Sequence, residues 1–137
     1  MPAHDIYTNI DQNPAGFSSI WLQKILRTEM QFEGCIFSDD LSMRGAADYL
    51  ESITLRAKTA LNAGCDMVLV CNNPQAADEL LSQLQWEMSA TSLSRLARMH
   101  ARNNFGSMTK LRENADYVQA VREIGSIGCE NLHLPLQ

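Results

Sequence analysis

The sequence lacks the features that mark nucleic-acid-binding and membrane-spanning proteins. It carries 11 Lys and Arg against 16 Asp and Glu, a formal net charge of -5, and no run of basic residues, so neither a nucleic acid nor an anionic membrane surface is an expected partner. No apolar stretch approaches the roughly 20 residues that a membrane span requires. Residues 1–5 have neither the basic region nor the apolar region of a secretory signal. We therefore expect a cytoplasmic protein.

Cysteine is scarce, and its spacing argues against a metal site or a disulfide framework. The four cysteines, at positions 35, 65, 71 and 129, include no CxxC pair, so no zinc site and no other metal site is predicted. Cys35 and Cys71 fall within predicted buried strands, where a free cysteine behaves as a small hydrophobic residue. Reduced thiols of this kind fit a reducing compartment.

What the sequence does contain is an alternation of short apolar runs and amphipathic segments. At 137 residues, 45% of them hydrophobic, the chain is long enough to form a domain with a core. Ser18 or Ser19 supplies the N-cap of a first helix, and Gly64 is suited to end a second one. The pattern predicts the end of a strand at residues 3–7, buried strands that begin at Cys35 and Asp66, and three later helices over about 75–85, 92–102 and 114–124. This order predicts an α/β fold with parallel strands and a helical C-terminal extension.

The segment from Cys35 to Met43 carries the strongest chemical signal. A short apolar run typical of a buried parallel strand stops abruptly at Ser38, Asp39 and Asp40. Ligands bind at the carboxyl ends of the strands in open α/β sheets and in (β/α)8 barrels. Neighbouring residues of a regular strand point to opposite faces, so we expect one aspartate to face a site and the other to hold the loop. A turn with an N-cap is the alternative interpretation of the same pair.

Three strings in order resemble one family: MPAH at residues 1–4, FSDDLSM at 37–43 and AGCDMVLVCNN at 63–73. They are similar to the C-terminal portion of the bacterial cytoplasmic β-N-acetylhexosaminidases of glycoside hydrolase family 3. The resemblance implies the C-terminal part of a (β/α)8 TIM barrel over residues 1–105, with a helical extension and tail over 106–137. Residues 1–7, 35–40 and 66–72 would then be the sixth, seventh and eighth strands of the barrel. We therefore expect the chain to be part of a larger fold.

The resemblance also implies a catalytic residue. Asp39 occupies the position of the family's nucleophile, the carboxylate that forms a covalent glycosyl-enzyme intermediate in a retaining glycosidase. Asp40 and Ser38 would hold the loop behind it. Met43 lies in the family's substrate-proximal loop, although a methionine at this position could equally belong to the core. His4 would line the pocket or make a structural hydrogen bond, and Asn72, with Asn73, would bind loop amides or line the sugar site.

The implied reaction is the release of N-acetylglucosamine from muropeptides during peptidoglycan recycling, without a metal or an organic cofactor. The expected partner is a muropeptide or a chitooligosaccharide-type substrate. In the family, the acid/base histidine and the residues that bind the sugar precede this segment, so we expect little turnover unless another chain or a missing N-terminal part supplies them. Two alternatives remain: a non-catalytic α/β module, such as a receiver-like domain, and an inactive remnant whose sheet edges pair with another copy.

Overall fold

The computed structural model describes residues 1–100 and 106–127. The chain divides into two compact units, residues 1–100 and 101–137, which are described separately. Cys129, His133 and the last two residues of the helix predicted over 92–102 lie outside the described residues. Among the residues described, no helix has both the length and the apolar character that crossing a membrane requires.

The first unit begins with a loop and a short 3₁₀ turn, Ala15–Phe17, which lead into the helix Ile20–Glu29. This helix is wound more widely than an α-helix, and its last turn is closed by a hydrogen bond of 2.9 Å from Met30 N–H to the carbonyl of Ile25, five residues back. Ser18 Oγ accepts the amide of Trp21 at 3.1 Å, which confirms the predicted cap. Leu22 is buried on the face that packs against the core.

The sheet of the described residues has two parallel strands, β1 (Phe37–Asp40) and β2 (Met67–Leu69). Phe37 pairs with Met67, and Asp40 pairs with Leu69, so β1 contains one more residue than β2 between the paired positions. This irregularity is a bulge in β1. Bulges bend a strand and re-aim its side chains.

The predicted strand over residues 1–7 is wrong. That segment makes only an isolated antiparallel bridge between Ile6 and Pro14. Its carbonyls are taken up by the loop that follows: Ala3 accepts Gly16 N–H at 3.0 Å, and Asp5 accepts Ala15 N–H at 2.9 Å. Two of the carbonyls that a sheet would need are therefore already bonded locally.

The other two strands are confirmed but are shorter than predicted, and this corrects the prediction for two cysteines. Cys35 precedes β1 and is only half-buried, and Cys71 follows β2 and is exposed. Among the three cysteines that the structure describes, the buried thiol is that of Cys65, where burial raises the pKa to about 12.

Four helices complete the first unit, and side-chain caps begin three of them. α1 (Arg44–Tyr49), which the sequence did not predict, follows β1 directly. α2 (Ile53–Ala63) begins at Ser52 and ends at Gly64, whose φ of +129° is one that other residues rarely adopt. α3 (Pro74–Gln83) and α4 (Ala90–Ala97) begin at Asn73 and Ser89, and each cap side chain accepts a backbone amide of the first turn.

The core of this unit lies between the Ile20–Glu29 helix, the sheet and α2. It contains Phe17, Leu22, Ile36, Leu41, Ala46, Ile53, Ala57, Ala60, Ala63, Cys65 and Leu80. Arg56 of α2 is also buried, and its guanidinium donates to the carbonyls of Leu50, Leu41 and Glu51 at 2.5, 2.7 and 2.6 Å. A buried charge must be compensated, and here three carbonyl dipoles provide that compensation.

The second unit contains α5 (Met108–Glu113) and α6 (Ala115–Ser126), which begin at the cap residues Ser107 and Asn114. α6 confirms the helix predicted over 114–124. No residue from 106 to 127 is buried.

Candidate active site

Asp39 lies half-buried near the carboxyl end of β1. Its Oδ1 atom accepts the backbone N–H of Asp40 at 2.8 Å, and among the described residues no donor contacts Oδ2. One carboxylate oxygen is therefore held by the backbone while the other is left for a reacting partner. That arrangement suits a nucleophile.

Ser38 holds the backbone of Asp39 through its carbonyl. Its buried hydroxyl donates to the carbonyl of Asp39 at 2.7 Å and accepts the backbone N–H of Leu69 at 2.9 Å. The hydroxyl thus takes the place that a backbone carbonyl of β1 would have in a regular ladder. Because of the bulge, the strict alternation of faces expected from the sequence does not apply between Phe37 and Asp40.

The carboxylate of Asp40 joins the loops that follow the two strands. Oδ1 accepts the backbone N–H of Ser42 at 2.9 Å and that of Cys71 at 3.0 Å. The Ser42 hydroxyl lies 2.7 Å from Oδ1 and 2.8 Å from Oδ2. Burial alone would raise the pKa of this carboxyl, but the donors on Cys71 and Ser42 outweigh it and lower the pKa below the ordinary value of 3.8.

His4 contacts the backbone of Asp40 rather than its carboxylate. Nε2 donates to the Asp40 carbonyl at 3.0 Å, while Nδ1 is buried and has no hydrogen-bond partner among the residues that the structure describes. The ring stacks on Phe17 at a centroid distance of 5.4 Å, and Phe17 stacks on Tyr49 at the same distance. Both nitrogens are therefore engaged or enclosed, so this histidine is poorly placed to exchange a proton with a substrate.

Met43 and Asn72 lie in the loops that follow β1 and β2. Both side chains are exposed, and Asn72 has a φ of +53°. Asn73 accepts the backbone N–H of Ala76 at 3.1 Å, an amide of the first turn of α3, so this side chain caps a helix instead of binding a loop amide. A cavity of about 350 Å³ opens nearby and is lined by Ser42, Ala47, Glu51, Ser52, Ile53, Arg56, Asn73, Ala76 and Glu79.

The structure also contains a buried ionic cluster that the sequence analysis did not single out. Asp66, at the amino end of β2, accepts Arg27 at 2.7 Å, Arg95 at 3.1 Å and the hydroxyl of Ser92 at 2.7 Å. It also accepts the backbone N–H of Ile36 at 2.8 Å. Burial opposes the charge, yet these donors lower the pKa of Asp66. The one signal in the sequence is a carboxylate directly before an apolar run.

The two ends of the sheet therefore differ in their chemistry. At the amino end, the oxygens of Asp66 are saturated by cations and donors. At the carboxyl end, His4, Ser38, Asp39 and Asp40 are brought together, and Asp39 keeps an open oxygen. Within the part of the chain that the structure describes, no group of three or more His, Cys, Asp or Glu side chains is arranged to hold a metal ion.

Comparison with known proteins gives a consistent set of matches. Residues 1–100 match the profile of the glycosyl hydrolase family 3 N terminal domain. The chain is 55% identical over 136 residues to a beta-hexosaminidase of Nitrosospira multiformis and 54% identical over 135 residues to one of Methylobacillus flagellatus. These alignments cover 99% and 98% of this chain but only 39% and 38% of the relatives.

The structure is similar to the crystal structure of NagZ from Neisseria gonorrhoeae in complex with N-trifluoroacetyl-D-glucosamine. The TM-score is 0.74 at 38% identity, and the alignment covers 88% of this chain and 34% of that one. The beta-N-acetylglucosaminidase from Thermotoga maritima gives a TM-score of 0.57 at 26% identity, over 74% of this chain and 25% of the neighbour. In each case the chain aligns with a minority of the relative's length.

Proposed function

The chain belongs to glycosyl hydrolase family 3, and from that premise we propose that it carries the nucleophile of a retaining β-N-acetylhexosaminidase. The observation that supports the proposal is Asp39, whose carboxylate is held through one oxygen and open at the other. The location also fits, because the carboxyl ends of the strands are where α/β barrels place their catalytic groups. The closed (β/α)8 barrel itself is part of the proposal.

In the proposed reaction, Asp39 Oδ2 attacks the anomeric carbon and forms an ester bond as the glycosidic bond breaks. An acid protonates the departing oxygen, and the same group then deprotonates the water that hydrolyses the ester. The released sugar keeps its anomeric configuration, because two displacements occur at the same carbon.

The second catalytic group has to lie about 5–5.5 Å from the nucleophile in a retaining enzyme. Near Asp39, Asp40 is occupied by donors from Ser42 and Cys71, and His4 is bonded through Nε2. We therefore place the acid/base in the part of the family fold that this chain does not span. On its own, the chain is expected to give no turnover above that of an Asp39→Ala control.

For the substrate, we propose a glycan with a terminal N-acetylglucosamine, of the muropeptide type, acted on in the cytoplasm during peptidoglycan recycling. The choice of N-acetylglucosamine is supported by the names of the relatives and by the glucosamine analogue bound in the Neisseria complex. His4, Met43 and Asn72 are proposed to lie near it. Met43 and Asn72 are the exposed members of this set.

The test uses a hybrid enzyme in which this chain replaces the matching 136 residues of the Nitrosospira multiformis relative. The hybrid should hydrolyse a chromogenic β-N-acetylglucosaminide, and Asp39→Ala should lower kcat by several orders of magnitude, as removal of a nucleophile does. Azide should restore part of the turnover of Asp39→Ala and give the α-glycosyl azide, because the anion attacks from the face that the carboxylate occupied.

A 5-fluoro derivative of the sugar, which slows hydrolysis of the ester, should leave a covalent adduct on the peptide that contains Asp39. Retention of the full rate by Asp39→Ala would contradict the assignment of the nucleophile. A folded hybrid that shows neither turnover nor an adduct would favour the non-catalytic module instead.

A further inference from the structure

All the polar groups of Asp40 are hydrogen-bonded. Its N–H donates to Asp39 Oδ1, and its carbonyl accepts His4 Nε2 at 3.0 Å and Met43 N–H at 3.1 Å. Its carboxylate accepts the amides of Ser42 and Cys71 together with the Ser42 hydroxyl. Hydrogen bonds from three loops therefore hold the conformation of this residue.

The orientation of the Asp39 carboxylate depends on that conformation. The N–H of Asp40 is the donor that holds Asp39 Oδ1, at 2.8 Å. Any rotation of the peptide between the two residues moves this donor and turns the open oxygen with it. A displacement of this kind matters because catalysis requires the reacting atoms to be aligned within a fraction of an ångström.

The strand ladder alone cannot fix the peptide at this point. The bulge interrupts regular pairing between Phe37 and Asp40, and the backbone link resumes at Leu41, whose N–H donates to the Leu69 carbonyl at 2.9 Å. Across the gap, two side chains reach the other strand and its loop: the Ser38 hydroxyl accepts Leu69 N–H, and the Asp40 carboxylate accepts Cys71 N–H.

We propose that Asp40 is a positioning residue for the nucleophile. Its carboxylate ties the loop after β1 to the loop after β2, and this tie holds the Asp40 amide in the place where it orients Asp39. The proposal rests on the proposed function, because it requires Asp39 to be the nucleophile.

The test compares variants of the hybrid enzyme. Asp40→Ala removes the tie and should lower kcat by about 100-fold, the cost of a misplacement near 1 Å, while KM changes much less. Asp40→Asn keeps an oxygen that can accept the Cys71 amide and should restore most of kcat. Asp48→Asn is the matched control, because Asp48 is exposed and forms a surface ion pair with Arg44 of α1.

A purely structural role predicts a different result. In that case Asp40→Ala would reduce the fraction of competent molecules, counted by the covalent 5-fluoro adduct, and each competent molecule would keep the parent kcat. That outcome would overturn the proposal. A loss of kcat per competent molecule in Asp40→Ala, with recovery in Asp40→Asn, would support it.

If Asp40→Ala does not fold, Asp40→Glu decides the question. Glutamate keeps the charge but moves the acceptor atoms, so it should lose more kcat than Asp40→Asn. The reverse order would overturn the proposal. Its failure is distinguishable from failure of the proposed function, which appears as an active Asp39→Ala variant.

Discussion

At the scale of single residues, three aspartates around one small sheet have different environments. Asp39 has one backbone donor, Asp40 has donors from two loops, and Asp66 has two arginines, a hydroxyl and an amide. The number of donors decides what each carboxylate can do. A saturated carboxylate stabilises its surroundings, whereas one with a free oxygen is available for chemistry.

Asp66 should therefore matter for stability. Its side chain is 1% exposed, so Asp66→Ala would leave Arg27 and Arg95 without their carboxylate and should lower the free energy of unfolding by roughly 3–5 kcal/mol. The measurement is chemical denaturation of the chain, with Asp48→Asn as the exposed control. An Asp66→Ala variant as stable as the parent would contradict the prediction.

The same residue predicts a dependence of stability on pH. The donors lower the pKa of folded Asp66 below the ordinary value of 3.8, so its contribution is complete above that value and is lost as the pH falls through the folded pKa. Asp40 should also contribute stability that is lost at acid pH, because its pKa in the folded state is lowered as well. Melting temperatures measured from pH 7 to pH 2 should fall less steeply at the acid end for Asp66→Asn than for the parent.

Residues near in sequence were easier to predict than residues joined across the fold. The carboxylates of the Ser38–Asp40 segment could be found because a strand end and a family motif coincide there. The role of Asp66 could not be predicted, since its partners Arg27 and Arg95 are 39 and 29 residues away in the chain. Only the folded chain shows that they meet.

At the scale of elements, local signals predicted most of the longer helices but missed the two six-residue helices α1 and α5, and they failed for the first strand. The cap at Ser18 acts within one turn, so the start of the first helix could be predicted from neighbouring residues. Whether residues 1–7 join a sheet depends on which backbone groups are available to bond them. Here the amides of Ala15 and Gly16 bond to carbonyls of that segment. The extra residue in β1 could not be predicted either, because an alternating hydrophobic pattern assumes a strand without bulges.

The end of α2 provides a test at this scale. Gly64 has a φ of +129°, and a Cβ there would lie 2.2 Å from the side-chain nitrogen of Gln23. Because the Gln23 side chain is flexible, the backbone strain should dominate, and Gly64→Ala should cost about 1–3 kcal/mol of unfolding free energy. Removing the clash with the double variant Gln23→Ala/Gly64→Ala should recover little of that loss. Full recovery in chemical denaturation would show that the contact, not the backbone, is limiting.

At the scale of the whole molecule, the described core belongs entirely to the first unit. Within residues 1–100 and 106–127, the buried hydrophobic residues lie between Ala15 and Leu80, and residues 1–100 are also those that match the family profile. The α/β class and the two parallel strands could be predicted from the sequence, whereas the catalytic role of the residues at the carboxyl end of β1 stays a prediction. The boundary predicted at residues 105 and 106 falls beside the undescribed residues 101–105 and stays a prediction.

The buried guanidinium of Arg56 has a consequence for how this unit opens. The guanidinium donates from α2 to the carbonyls of Leu41, Leu50 and Glu51. If the segment 41–51 detached alone, a buried cation would be left without its acceptors, which is costly. The segment and the helix should therefore unfold as one cooperative unit. Amide hydrogen exchange in 41–51 should follow that of α2, and Arg56→Lys, whose compact ammonium cannot span the three carbonyls, should let the segment exchange earlier than the helix.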